Sequence, residues 1–494
     1  MKIQTNTLGT QTSVGKYLDI RLIIYCSIIG LLNSFFYNNF IVMVTLSGVE
    51  ILLCIFFLSK RDYANFLGIY MFALCFSLES SNYVGGEVFY SFKNTRILGL
   101  NLAVWVLLPL AVLVVLNFKV LLNRINRINR NLIRKTALYT FFTVFMGIIT
   151  YLANDNGFSS QSGSLTVLIN TAYTYVLPFF EICIVSLIVY LDTERVGTIK
   201  RYLYAVIVAD TIVFLACMIF RNYGNRGGLA SLQVSEVSFL VACALVTIVY
   251  DDFQKFEKTL LTICGATVLV LSLIYNSSGK MIFVAILTPV AMLIIMKRKG
   301  MSLKTILGGI LAIVAFIFVI AWLLPKLIQD NQLLGIKFNQ FTSFITFGPN
   351  WLNNMAESPK MRITEFMNIF SEYMKKPWYL LFGKGCCGTI KDNLGLFSNL
   401  TSFAFSNWEL VLGAYYSVHE SLNTFFLSGG LFGLYVLFST CGLIYREIEK
   451  SPWLVIGMIW LLLFYTFHMS IAFYGIVALI VGINDLNEKK RQVL

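Results

Sequence analysis

Runs of predominantly apolar residues, each near the length that crosses a bilayer, follow one another through almost the whole chain and leave room for little else. They centre near residues 20–33, 40–59, 63–79, 97–117, 136–152, 166–191, 202–220, 232–250, 259–275, 281–296, 303–324, 421–445, 453–468 and 470–483. A hydrocarbon core needs roughly 17–25 such residues per helix. The fourteen runs therefore predict an all-α polytopic membrane protein with about 14 transmembrane helices. With 57% apolar and 13% charged residues over 494 positions, the apolar surface exceeds what a water-soluble core can hide.

The spacing divides the chain into three parts. Residues 1–324 carry the first eleven spans, 325–420 form the one long polar-leaning interval, and 421–494 carry the last three spans and a tail. Lys and Arg in short loops resist translocation. With the N-terminus inside, the inner segments collect 25 of the 38 basic residues, among them Arg124, Arg127, Arg130, Arg134 and Lys135. Both termini are then cytoplasmic and 325–420 is one large extracytoplasmic loop. The net charge of +13 reflects this asymmetry and contact with anionic lipid, not nucleic-acid binding. No Ala-x-Ala site follows the first apolar run, so the first helix is expected to stay.

The loops on the inner side are short, the longest being 118–135. They carry neither a G-x-x-x-x-G-K-[ST] cradle nor a D-x-D pair for a metal–nucleotide complex. An enzyme working outside would then receive its substrate already activated, as in a lipid-linked diphosphate. Eight of the ten cysteines fall within apolar runs, and Cys386-Cys387 lacks the spacing of a zinc site or a disulfide framework. No metal or other cofactor is expected.

Both histidines, His419 and His468, fall at the outer face, and imidazole is the side chain most easily poised as a base near neutral pH. His419 opens the twelfth span; His468, in a turn beside aromatic residues, reads better as an interfacial anchor. Arg221 and Arg226 (Arg-Asn-Tyr-Gly-Asn-Arg-Gly-Gly) and Lys280 (Asn-Ser-Ser-Gly-Lys) stand in short outer loops against the positive-inside tendency. Lipid-headgroup snorkelling or a carboxylate pair would explain each one singly; together with His419 they form a set able to hold diphosphate.

Within the long interval, Phe366, Ile369, Phe370 and Tyr373 recur at helical spacing and predict an amphipathic surface helix from Arg362, stopped by Pro377 and followed by the turn Leu381-Phe382-Gly383-Lys384-Gly385. Arg362 either pairs with Glu365 or Glu372 or points into a cavity. Four acids, Glu50, Glu181, Asp210 and Glu236, fall inside apolar runs, which suits either proton coupling in a carrier or protonated interhelical contacts. Gly429-Gly430-x-x-Gly433 reads as close helix packing.

Arg362 leading through an apolar helix to Lys376-Pro377 and Phe382-Gly383-x-Gly385, followed by His419-Glu-Ser-Leu-Asn-Thr-Phe-Phe-Leu-Ser-Gly-Gly-Leu-Phe-Gly, resembles the O-antigen polymerase and O-antigen ligase family of bacterial envelope glycosyltransferases. The likeness covers about the second half of the chain. Where the family often has Ser-Arg-Gly, this chain has Ser277-Ser278-Gly279-Lys280. The resemblance implies a GT-C-type membrane fold in the bacterial cytoplasmic membrane, a polyprenyl diphosphate-linked oligosaccharide as donor, a lipid-linked acceptor and no required metal. It also implies that His419 orients or deprotonates the attacking sugar hydroxyl while Arg221, Arg226, Lys280 and Arg362 bind diphosphate and glycan. A polymerase of O-antigen or capsule repeat units is the expectation, with a chain-length regulator as a partner. The alternatives are a ligase using the same donor and a flippase for the lipid-linked unit.

Overall fold

The computed structural model describes residues 17–36, 39–76, 96–97, 100–191, 193–220, 254–271, 351–355, 357–395, 397 and 405–447, with isolated positions within 302–311 and 478–486. Their helices are α1 (Ile20–Phe35), α2 (Phe40–Ser59), α3 (Tyr63–Phe76), α4 (Leu102–Arg124), α5 (Arg127–Leu152), α6 (Ser164–Leu191), α7 (Val196–Ile219), α8 (Lys255–Leu271), α9 (Trp351–Asn354), α10 (Glu357–Lys375), α11 (Pro377–Phe382), α12 (Asn407–Leu412) and α13 (Ser421–Glu447). Among the described residues, five helices are long and apolar enough to cross a membrane: α2, α4, α5, α6 and α13. The molecule is thus a predominantly helical, membrane-embedded chain.

Helix boundaries follow local chemistry. The Asp19 side chain accepts from the backbone N–H of Arg21 and Leu22 at the start of α1, and Asn39 accepts from Val42 N–H at the start of α2. Asn126 does the same for Asn129 N–H at 2.7 Å and opens α5 at Arg127. This corrects the expected inner loop of 118–135: α4 runs on to Arg124 and α5 begins at Arg127, so the basic run lies on helix ends. The charged residues are good helix formers outside the hydrocarbon, where an apolar pattern no longer marks the helix. The other departure is small. Arg96–Ile97 and Leu100–Asn101 pair antiparallel where a helix was expected from 97, and Trp105 Nε1 donates to Ile97 O at 2.9 Å beside them.

The spans turn large apolar side chains outward and keep polar ones in. Ile41, Leu116, Phe141 and Leu152 are exposed, whereas Glu50, Asn129, Thr143 and Glu181 are buried. With lipid as solvent, interhelical polar contacts replace water. Pro178 cannot donate to the ladder of α6, and Thr140 Oγ1 from α5 donates to Tyr175 O at 2.7 Å one turn earlier. α1, α3 and α8 pack on α7, and α5 lies between α6 and α13.

The last element organises the layer formed by α10, α11 and the turn after them. Gly430 breaks α13 at φ 58°, ψ −143°, which would orphan the carbonyls just before it. They are met from the interval below: Lys384 N–H donates to Leu427 O at 2.8 Å, Gly385 N–H to Ser428 O at 3.0 Å, and Tyr373 Oη to Leu427 O at 2.6 Å. A Cβ on Gly430 would sit 2.6 Å from Leu380 O. The glycine pair therefore serves close packing, Gly430 of α13 on α11 and its following turn and Gly429 on Tyr139 of α5. Pro377 also does more than stop a helix, because it opens α11 as its first residue, where a missing N–H costs nothing.

Candidate active site

The amphipathic helix read from the sequence is α10, and its polar side faces the start of α13. Arg362 and Glu365, three residues apart, share that side. The Glu365 side chain is fully buried. Its Oε2 accepts the backbone N–H of His419 at 3.0 Å and Asn423 Nδ2 at 3.0 Å, while Oε1 lies 2.5 Å from His419 Nδ1. A carboxylate only accepts, so the proton of this contact sits on Nδ1. A neutral imidazole then carries its lone pair on Nε2, the tautomer a general base needs. The His419 ring is 31% exposed and so reachable. Phe405 closes on its edge, with ring centroids 5.7 Å apart.

Arg362 stands beside this dyad. Its Nε bonds to Glu420 Oε1, and its carbonyl accepts Asn423 Nδ2 at 2.9 Å, so Asn423 bridges the two residues of α10. Of the two readings open for Arg362, pairing with Glu365 or Glu372 is not what the structure has: Glu365 is taken by His419 and Glu372 by Lys384, and Arg362 pairs with Glu420. An intrahelical i,i+3 pair is worth only tenths of a kcal/mol, less than a buried carboxylate gains from three donors.

The segment that delivers His419 is itself fixed by a carboxylate. Glu409 is fully buried. It completes a capping box with Ser406 at the start of α12, and its Oε1 accepts the N–H groups of Tyr416 and Ser417 at 2.9 and 2.8 Å. Ile390 and Tyr415 exchange backbone hydrogen bonds, and the rings of Phe397, Phe405 and Tyr415 pack together below. Asn368 of α10 donates to Asp392 at 3.2 Å, and Asp392 accepts Phe397 N–H at 2.8 Å.

A second polar group braces the layer against α5. Lys384, which the sequence shows only as a turn lysine, is 1% exposed; it bonds to Glu372 and to Thr389 O at 2.9 Å. Asp155, just past α5, accepts Lys376 Nζ at 2.5 Å and Tyr379 Oη at 2.6 Å. Burial opposes the charged form of Asp155, but hydrogen bonds from Lys376 and Tyr379 and the charges of Lys384 and Lys376 outweigh it and hold the carboxyl below its ordinary value. Burial, and then the Asp155 hydrogen bond and charge, push the Tyr379 hydroxyl up to about 12. Cys386 and Cys387, expected in an open outer loop, are both buried, with Cys386 N–H donating to Thr143 O on α5.

Of the sequence-predicted site residues, the structure thus brings His419 and Arg362 together. Arg221, Arg226 and Lys280 lie outside the described residues, as do Glu236 and His468. Sequence reasoning missed Glu365, Glu420 and Asn423 as site members. The available signal was their spacing: Glu365 one turn after Arg362, Glu420 beside His419, and Asn423 one turn after His419. Among the described residues no group of three or more His, Cys, Asp and Glu side chains is disposed to hold a metal ion. No protein-family model, no curated protein and no solved structure matches this chain.

Proposed function

We propose that the chain is a polysaccharide polymerase of the O-antigen polymerase type, with a GT-C-like architecture in the bacterial cytoplasmic membrane. It would join lipid-linked repeat units of O-antigen or capsule at the outer face, with 325–420 on that side. The acceptor hydroxyl oxygen bonds to the anomeric carbon of the donor glycan. The bond from that carbon to the diphosphate oxygen breaks with its electron pair going to the polyprenyl diphosphate, and the hydroxyl proton passes to Nε2 of His419. Glu365 is a positioning residue that fixes the tautomer and favours the imidazolium as it forms. Arg362 meets the charge developing on the diphosphate, with Glu420 orienting its fork.

The observation that carries this reading is the 2.5 Å contact of His419 Nδ1 with a fully buried carboxylate on the same helix face as Arg362. Glu365 gives Oε2 to the His419 N–H and Asn423 and keeps Oε1 for the imidazole, so one buried acid fixes both the backbone and the ring of His419. Buried Glu50 and Glu181 favour a second reading, a flippase for the lipid-linked unit. Glycan displayed by cells that depend on this chain separates the two. His419→Ala and Arg362→Ala are expected to abolish long polymer while single repeat units are still displayed; long polymer made by both variants would overturn the polymerase reading, and loss of even single units would favour the flippase.

A further inference from the structure

The face of α10 turned away from the site is apolar although it is exposed. Met361, Glu365, Asn368 and Ile369 are buried on one side of the helix, while Met367, Phe370 and Met374, spaced three and four apart, are exposed on the other. Across the Lys376–Pro377 junction the stripe continues on α11 as Trp378, Leu381 and Phe382, with Met374 at 60% and Trp378 at 55% exposure. An exposed apolar band of this length is not a normal face for water.

The stripe does not end in space. Phe382 packs on Phe142 of α5 and Phe142 packs on Phe432 of α13, with centroids 5.9 and 4.7 Å apart. Around that junction, Leu138, Phe141 and Phe145 of α5 and Leu431, Tyr435 and Phe438 of α13 are exposed on two membrane-length helices. Phe142 lies ten residues before the end of α5 at Leu152, or about 15 Å along the axis at 1.5 Å per residue. The stripe of α10–α11 is therefore continuous with the lipid-facing surface of the spans and reaches well inside the length of α5.

The geometry points to one occupant: bilayer lipid. The outward face of α10–α11 is sunk in the acyl and headgroup boundary, so the helix that presents Arg362 and Glu365 to α13 is held by protein on one side and by lipid on the other. This placement does not rest on the reaction proposed above. It is tested on the full chain in lipid nanodiscs, with nitroxide labels at Met367→Cys and Met374→Cys and at exposed Lys391→Cys as a reference, the unsubstituted chain supplying the background from native cysteines. At 367 and 374, collisions with oxygen are expected to exceed those with a water-soluble nickel chelate, and at 391 the order is expected to reverse. Nickel access at 367 and 374 equal to that at 391 would overturn the inference. Exclusion of both reagents would also overturn it, placing a second copy there if the labels broaden one another and another polypeptide segment if they do not. An independent reading comes from brominated lipid, which is expected to quench the parent chain more than Trp378→Phe; equal quenching would count against lipid contact.

Discussion

At the scale of single residues, the account turns on Glu365. Its amide variant, Glu365→Gln, keeps the volume but can offer a donor where Nδ1 needs an acceptor, so the ring is free to present the wrong tautomer. Polymer formation is expected to fall by about 10²–10⁴-fold, in kcat more than in KM, with partial recovery in Glu365→Asp; a purely structural role would instead lower the amount of folded protein and spare kcat. Asp155 makes a different test. Its carboxyl is held below the ordinary value of 3.8, so its ion pair contributes stability that is present above that value and lost as pH falls through the lowered one. The parent chain should lose thermal stability on acidification from about pH 4 to pH 3 more steeply than Asp155→Asn. At neutral pH the variant should be less stable by about 1–2 kcal/mol, an amount reduced from the fully buried case because Lys376 is 40% exposed. Thermal unfolding in one detergent across both pH values decides both points.

At the scale of elements, the turn after α11 is the joint on which the layer hangs. Gly385 has φ 76°, and a Cβ there would meet Gly147 N at 1.9 Å, backbone against backbone. Gly385→Ala should cost more than about 3 kcal/mol or prevent a folded product, whereas Gly395→Ala, at φ 62° with open space around it, should cost only about 1–2 kcal/mol. Expression and melting of the two variants give the comparison, and equal losses would mean that 383–387 does not pack on α5 as described. Much of this level was legible in the sequence. The span at 40–59 coincides with α2, and the periodicity of Phe366, Ile369, Phe370 and Tyr373 marked α10 because one face had to be apolar. What escaped was everything set by partners distant in sequence. Glu365 meets His419 across 54 positions and Lys376 meets Asp155 across 221. Only the fold decides which carboxylate a cation finds, which is why the sequence left Arg362 between its own helix and a cavity, and neither reading pointed to Glu420. Lys384 was hidden for the same reason, since a lysine between two glycines reads as a solvent turn until the carboxylate that covers it is known.

At the scale of the whole molecule, the described spans enclose acids that the proposed reaction does not use. If Glu50 and Glu181 serve only as interhelical contacts, Glu50→Gln and Glu181→Gln should leave chain growth within about twofold of the parent, as substitutions outside a reacting centre do; loss of display in both would transfer weight to the flippase. The helical, membrane-embedded class was foreshadowed by apolar run length, because lipid permits few alternatives to helices, whereas the candidate site was foreshadowed only in part, by His419 at a helix mouth and by Arg362, which lies in the second turn of α10 and not at its start. The most direct test of the central claim is polymerisation by the purified chain in nanodiscs, supplied with polyprenyl diphosphate-linked repeat units and no nucleotide sugar. The parent is expected to yield a ladder of lengthening glycans with one polyprenyl diphosphate released per bond formed, and His419→Ala, folded to the same degree, is expected to yield none. A ladder of undiminished rate from His419→Ala would contradict the account.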